Sequence, residues 1–240
     1  MNNTIELFGD LTSVVPTPQT LGSLEFSVLE STLATSKGML DIGANVGIFS
    51  LLAAQNLQFE GPIYAVEPEA NNFQILQRNI NYYNTHNIEP LQIAMGPMIA
   101  EGILLEDAQH NGNHSLLSGV QRQPGQPVFI ETVDHVLSTR PLVDFIKMDV
   151  QGYEGLVLKG MTEWLKHPSV LMMEYDPLMI ADSEVWPQQI LLDLMNAGYQ
   201  VFDLSEIYQA PIPITQQNFH SMTCDHAHRQ TTTNLVCIKS

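Results

Sequence analysis

The chain carries, from position 40 to 47, the run Leu40-Asp41-Ile42-Gly43-Ala44-Asn45-Val46-Gly47. It lies between a strand predicted at Met39–Ile42 and a helix predicted at Ile48–Gln55. Gly43 permits a tight turn with a positive φ, and Gly47 lets the helix pack closely against the strand. A turn of this kind is where an α/β sheet leaves a crevice for a ligand. We therefore expect a ligand site at this junction.

Strands and helices alternate along most of the chain. The predicted strands are Ile63–Val66, Leu91–Ala94, Val143–Met148, Val170–Glu174, Tyr199–Leu204 and Leu235–Ile238, and the predicted helices are Ala70–Asn84, Thr132–Leu137, Tyr153–Gly160 and Trp186–Met195. This order predicts an α/β fold, a mostly parallel sheet with helices on both faces. Residues 95–140 interrupt this alternation, and their pattern predicts an inserted hairpin and loop before the fourth strand. We expect an N-terminal cap segment at 1–35 and one domain at 36–240.

Charge and composition narrow the classes of partner. The 240 residues include 9 Lys+Arg and 26 Asp+Glu, a formal net charge of −17. Such acidity disfavours nucleic acid and anionic membranes, because both are bound through clustered basic side chains. The two cysteines are too few for a disulfide framework, and no apolar run is long enough for a membrane span. No basic residue precedes Lys37, so we expect no secretory signal and a cytoplasmic protein.

The charge of the crevice indicates which nucleotide fits. Asp41 enters the crevice, and Lys147 is the one cation expected there. Four more acidic residues are expected along the same edge: Glu67, Glu69, Asp149 and Glu154. A diphosphate would be repelled there, and Asn45 stands where the G-x-G-x-x-G fingerprint has its second glycine. S-adenosylmethionine has no phosphate and carries a sulfonium and an ammonium. Glu67, at the end of the second strand, is placed to accept hydrogen bonds from a ribose diol.

A second cluster, Asp144–Glu154, contains the end of a buried strand. Lys147 and Asp149 point the same way under the period-2 rule of strands. Gly152 turns the chain, and Glu154 begins the next helix, where it is either an N-terminal cap or a functional acid.

These segments resemble the FkbM-type family of S-adenosylmethionine-dependent methyltransferases. The similarity runs from about Glu25 to Glu174 and is carried by Leu40–Ser50, Glu67-Pro68, Asp144–Glu154 and Leu156–Gly160. It implies a seven-stranded class I methyltransferase sheet and O-methylation of a small molecule or sugar. It also implies that Asp41, Gly43, Asn45 and Gly47 hold the methionine part, that Glu67 binds the ribose, and that Lys147, Asp149 and Glu154 line the reacting end. Gln151 departs from the family, which more commonly has an acid there.

A hydroxyl acceptor needs a base, since it is a poor nucleophile while it keeps its proton. Asp149 is the first candidate, His114 in the inserted loop is the second, and Lys147 lies on the same strand end. We place Ala44, Pro68 and Ala94, with Asp149, among the cofactor contacts, and Glu154 and Glu174 among the acceptor contacts. The alternatives are a non-catalytic S-adenosylmethionine-binding protein and an NAD-dependent oxidoreductase.

One further cluster lies near the C-terminus and contains His220, Cys224, Asp225, His226 and His228. Its spacing matches no strong zinc pattern. We expect an exposed loop before the last strand and no metal.

Overall fold

The structure is a computed structural model that describes residues 23–107, 122–123, 125–205 and 210–240. Its strands are β1 Met39–Ile42, β2 Ile63–Val66, β3 Ile88–Leu91, β4 Ala94–Met95, β5 Ala100–Ile103, β6 Glu106–Asp107, β7 Arg122–Gln123, β8 Pro127–Glu131, β9 Phe145–Met148, β10 Ser169–Tyr175, β11 Gln200–Asp203, β12 Ile212–Ile214 and β13 Thr233–Lys239. Its helices are α1 Ser23–Leu33, α2 Ile48–Ala54, α3 Ala70–Tyr83, α4 Val133–Leu137, α5 Glu154–Lys159, α6 Pro177–Ala181, α7 Pro187–Asn196 and α8 Phe219–Arg229.

Within these ranges eight strands form one central sheet, in the order β12-β11-β13-β10-β9-β1-β2-β3. The five strands from β10 to β3 are parallel, and β13, β11 and β12 each pair antiparallel with their neighbour. The order reverses between β1 and β9, and this reversal opens a crevice at the carboxyl ends of the strands. The seven-stranded class I methyltransferase fold is confirmed, with β12 added at one edge.

Two apolar layers cover the sheet. On one face, α1, α2 and α3 bury Leu29, Leu51 and Leu76 against Met39 and Phe145 of the strands. On the other face, α4 to α8 pack against the side chains that point the opposite way, such as Ile42 and Ile146. Among the described residues, no helix has the length and apolar character needed to cross a bilayer.

The predicted insertion forms a small sheet of its own. Its order is β4-β8-β5, with β8 parallel to β4 and antiparallel to β5, and β6 pairs with β7. Gln126 fastens this sheet to the main domain, because its Nε2 donates to the carbonyl oxygen of Pro68 at 3.2 Å.

Two sequence expectations were wrong in detail. The third strand of the main sheet begins at Ile88 rather than Leu91, and Ala94 belongs to the small sheet instead. β3 contains Pro90, which is tolerated there because β3 is an edge strand. The segment before the last strand is the helix α8 and not a loop. One face of α8 packs Phe219 and Met222 against the core.

Candidate active site

A cleft opens at the carboxyl ends of β1, β2 and β9, beneath the inserted sheet. It encloses about 650 Å³ of empty space, its open mouth included. Its walls are Ile42, Gly43, Asn45, Val66, Glu67, Pro68, Asn72, Ala94, Met95, Leu104, Asp149, Val150, Gln151 and Tyr153. Six predicted site residues are therefore brought together: Gly43, Asn45, Glu67, Pro68, Ala94 and Asp149.

The glycine loop needs left-handed backbone at three positions. Gly43, Asn45 and Gly47 have φ values of 78°, 51° and 98°, and asparagine is among the residues that tolerate this region. A Cβ atom on Gly43 would lie 1.8 Å from the carbonyl oxygen of Asp149. The loop after β1 and the loop after β9 therefore meet backbone to backbone.

The amide groups of this loop are already used. Gly43 and Ala44 both donate to the carbonyl oxygen of Val66, at 3.0 and 2.9 Å. The amide of Asn45 donates to Glu67 Oε2 at 2.8 Å. A pyrophosphate is bound through free amide groups at such a loop, so these contacts disfavour a dinucleotide.

Glu67 is held in one orientation by the backbone around it. Its Oε1 accepts from the amide of Glu69 at 2.9 Å, while Oε2 accepts from Asn45. Burial raises the pKa of Glu67 to about 7, against the hydrogen bonds from these amides. Each carboxylate oxygen has a second lone pair, so Glu67 can still accept two hydroxyl groups, as a ribose diol requires.

Asp41 and Lys147 lie under the cleft rather than in its wall. They are register partners on β1 and β9, and both are buried. Asp41 Oδ2 accepts from the hydroxyl of Ser50 at 2.7 Å, while Lys147 Nζ lies 4.6 Å from the centre of the Phe49 ring. Two further predicted cofactor contacts, Ala44 and Gly47, shape the loop and also lie outside the cleft wall.

Lys147 holds the next acid along the strand. Its Nζ donates to Asp149 Oδ2 at 3.2 Å. Burial acts to lower the pKa of Lys147, but the charges of Asp149 and Asp41 outweigh it and raise that pKa. These charges therefore favour the ammonium form of Lys147, which orients Asp149 through this contact. A catalytic role for Lys147 stays a prediction.

Asp149 reaches the cleft with 34% of its side chain exposed. Burial acts to raise its pKa, but the Lys147 ammonium and a hydrogen bond from Gln151 hold it below the usual value. Glu174 lies beside it at the end of β10. Burial, together with the charge of Asp149, raises the pKa of Glu174 to about 9. The two pKa values are shifted in opposite directions, so the site favours the charge on Asp149 and the proton on Glu174.

Glu154, expected to contact the acceptor, is 1% exposed and lies outside the cleft wall. Its Oε1 accepts from the amides of Val150 and Gly152, at 3.0 and 3.3 Å. Burial raises its pKa to about 7. The carboxyl group of Glu154 therefore orders the loop after β9. It is not the N-terminal cap of α5, because Tyr153 holds that position, and its contact with an acceptor stays a prediction.

Sequence reasoning missed several residues of the cleft wall, namely Asn72, Met95, Leu104, Gln151 and Tyr153. Asn72 was recoverable in principle, since it lies in the first turn of a helix that follows a strand end. Leu104 belongs to the insertion, whose position over the cleft no local pattern predicts. His114 lies outside the described residues, and its role stays a prediction.

The C-terminal cluster is divided between the two sides of α8. His226 is buried and shares hydrogen bonds with Asp203 Oδ2 and Thr231 Oγ1, both at 3.0 Å. Cys224 and His220 are exposed, with Sγ and Nε2 3.7 Å apart. Within the ranges described, no three His, Cys, Asp or Glu side chains form a group suited to a metal ion.

Comparison with known proteins agrees with this arrangement. The methyltransferase FkbM domain family matches residues 41–201. "Methyltransferase 1" of Beauveria bassiana (strain ARSEF 2860) is 27% identical over 146 residues, which cover 52% of this chain and 58% of that protein's length.

Solved structures share the fold at low identity. A methyltransferase FkbM from Methylobacillus flagellatus KT has a TM-score of 0.50 and 18% identity, covering 84% of this chain and 43% of that one. A methyltransferase from Streptococcus mutans in complex with SAH has a TM-score of 0.52 and 8% identity, covering 95% and 100%. The chain therefore belongs to the methyltransferase FkbM domain family, which confirms the resemblance and the S-adenosylmethionine cofactor predicted from its sequence.

Proposed function

We propose that this protein methylates a hydroxyl group of a small molecule or a sugar, with Asp149 accepting the proton that the hydroxyl loses. The observation that carries the proposal is the carboxyl group of Asp149 in the wall of the cleft, 34% exposed and paired on its buried side with Lys147, whose charge favours the ionised form. Proton acceptors of this kind contribute roughly 10²–10⁴-fold to rate when they are within hydrogen-bond reach of the reacting group.

The residues of the cleft fit S-adenosylmethionine. Glu67 would bind the ribose hydroxyls of the cofactor, and the loop at Gly43 and Asn45 would lie against its methionine part. Met95 and Leu104 would offer apolar surface to its adenine base. When bound, the cofactor supplies a methyl group on a sulfonium, and the electrons of the S–CH₃ bond remain on sulfur.

A low pKa does not prevent Asp149 from acting as the proton acceptor. The acceptor oxygen becomes strongly acidic as it forms its bond to the methyl carbon, because its O–H group then carries positive charge. A carboxylate that is a weak base toward a neutral alcohol can take the proton at that stage. The balanced result is a methyl ether on the acceptor and a proton on Asp149.

The test is the variant Asp149→Asn, which keeps the shape of the side chain and removes its charge. We expect transfer of labelled methyl to a panel of hydroxylated acceptors to fall at least about 100-fold. The affinity for S-adenosylhomocysteine, measured by calorimetry, should change by no more than a few-fold, because Glu67 and the glycine loop are untouched.

Three outcomes would contradict the proposal. Full methyl transfer by Asp149→Asn removes Asp149 from the reaction. If the unaltered protein binds S-adenosylhomocysteine but methylates no member of the panel, the non-catalytic alternative is favoured. Binding of NAD in place of S-adenosylhomocysteine, seen as a thermal shift, would favour the oxidoreductase.

A further inference from the structure

The side chain of Gln151 joins the two acids at the reacting end. Its Nε2 donates to Asp149 Oδ1 at 2.7 Å and to Glu174 Oε2 at 2.9 Å. The opposite orientation of the amide would set its oxygen against the Asp149 carboxylate, which has no proton to donate, so the observed orientation is favoured. Gln151 reaches both partners from a left-handed backbone conformation, with φ 53°.

The sheet brings the two acids side by side. Met148 and Met173 are register partners in the parallel strands β9 and β10, and Asp149 and Glu174 are the residues that follow them. Two carboxyl groups this close do not both ionise readily, because like charges repel in a partly desolvated site. The ammonium of Lys147 contacts Asp149, so the negative charge is favoured there and the proton on Glu174.

We propose that Gln151 is a positioning residue: its amide holds the Asp149 carboxylate and the Glu174 carboxylic acid as one pair that shares a single proton. The inference rests on the proposed function in that Asp149 is the group that receives the acceptor's proton. A neutral amide satisfies both acids without adding a third negative charge. A glutamine at this position, where the resemblance implies that an acid is commoner, then limits the pair to one negative charge and one proton.

Other charged groups act on the pair from the elements around it. They are Lys147 on β9, Asp41 on β1, Glu154 on α5 and, through Lys147, Glu25 on α1. The acids among them favour the protonated form of the pair, and Lys147 opposes them. None of these groups is changed by a substitution at Gln151, so the effect of the amide can be measured separately.

The first experiment compares Gln151→Met with Gln230→Met. Methionine keeps the length of glutamine but lacks its donors. Gln230 is a matched control, because it also has a φ of 53° and is exposed at the end of α8, outside the cleft wall. We expect Gln151→Met alone to lower kcat about tenfold or more, with the affinity for S-adenosylhomocysteine within about threefold. The low-pH limb of its kcat–pH profile should shift to higher pH by about one unit, because the ionised form of Asp149 loses a hydrogen bond.

A second variant separates positioning from packing. Gln151→Glu keeps the size of the side chain but donates a hydrogen bond only while it is protonated. Its kcat should therefore approach that of the unaltered protein at low pH and fall further behind as the pH rises. A purely structural role would give the same loss at every pH.

A third measurement needs no acceptor and no turnover. In protein labelled with ¹³C at the carboxyl carbons, we expect one acid of the pair to titrate below its usual range and the other near pH 9. The lower titration should move up in Gln151→Met and stay in place in Gln230→Met. Circular dichroism spectra and Tm values establish that both variants are folded.

The outcomes distinguish the two proposals. Unchanged titrations and an unchanged low-pH limb in Gln151→Met overturn the positioning role. Equal effects of Gln151→Met and Gln230→Met overturn it as well, because the effect would then not depend on the hydrogen bonds that Gln151 makes. If the titrations move in Gln151→Met but the unaltered protein methylates no acceptor, the acid pair is supported. The proposed function is then contradicted instead.

Discussion

Glu67 shows how a single residue can couple ligand binding to pH. Its carboxyl group is 5% exposed and bound by two backbone amides. Burial brings its pKa to about 7, so a large fraction is protonated in the free protein near neutral pH. Ribose hydroxyls donate to the ionised form, which makes deprotonation part of binding.

We predict that the affinity for S-adenosylhomocysteine falls as the pH is lowered from 8 to 5.5. The sign follows from the raised pKa: below about 7 the group is protonated, and binding must then release a proton. The loss should approach about tenfold per pH unit well below the pKa, measured by calorimetry in buffers of different ionisation enthalpy. Glu67→Gln should bind more weakly and show little pH dependence. A pH dependence that survives in Glu67→Gln would assign it to another group.

The strand ends of the site were predictable from sequence, but the direction of each side chain was not. Glu67 and Asp149 follow buried strands, and the carboxyl ends of parallel strands meet at one edge. Asp41 was expected in the crevice, yet β1 is buried on both faces, so an acid within it meets a helix rather than solvent. Gln151 was noted only as a departure from the family. Its role depends on the register of β9 and β10, which a single sequence does not show.

At the scale of an element, α8 is the clearest difference between expectation and structure. Its histidines and cysteine resembled a polar loop, whereas His226 packs inward and binds Asp203 at the end of β11. Asp203 also accepts from Thr233 Oγ1 on β13 at 2.6 Å. The helix is thus tied to two strands of the sheet by a buried polar group, a contact between segments distant in sequence.

We predict that His226→Leu lowers the free energy of unfolding by about 1–3 kcal/mol, because Asp203 loses one of its buried hydrogen bonds. The matched control is His228→Ala on the same helix, where the side chain is exposed; it should change stability by less than about 0.5 kcal/mol. Urea titration monitored by circular dichroism measures both. Binding of S-adenosylhomocysteine should be unaffected, and equal losses in the two variants would contradict the assignment.

At the scale of the whole molecule, several acids among the described residues have raised pKa values, so the folded protein keeps protons that an unfolded chain would release. The pKa values of Glu67 and Glu154 are about 7 and that of Glu174 is about 9. In the unfolded chain these groups titrate near 4.3. Between these limits the folded protein binds more protons than the unfolded one. Its stability must therefore decline as the pH rises through this range.

We predict that the free energy of unfolding decreases steadily from pH 5 to pH 9, as measured by urea titration. The net charge of −17 acts in the same direction, so a variant is needed to isolate the buried acids. Glu154→Gln removes one of them, and the difference in stability between pH 5 and pH 9 should become smaller. A difference as large as that of the unaltered protein would exclude Glu154 as a contributor.

The contact between Gly43 and the carbonyl of Asp149 also bears on how acceptor choice can diversify. No side chain separates the loop after β1, proposed to bind the methyl donor, from the loop after β9, proposed to accept the proton. Neither loop can therefore be altered by substituting a residue between them. The β4-β8-β5 layer does not offer that freedom where it touches the cleft, because Met95 and Leu104 are the residues proposed to contact the base of the cofactor. We therefore expect libraries of variants for new acceptors to leave these two positions unchanged, as well as the two loops.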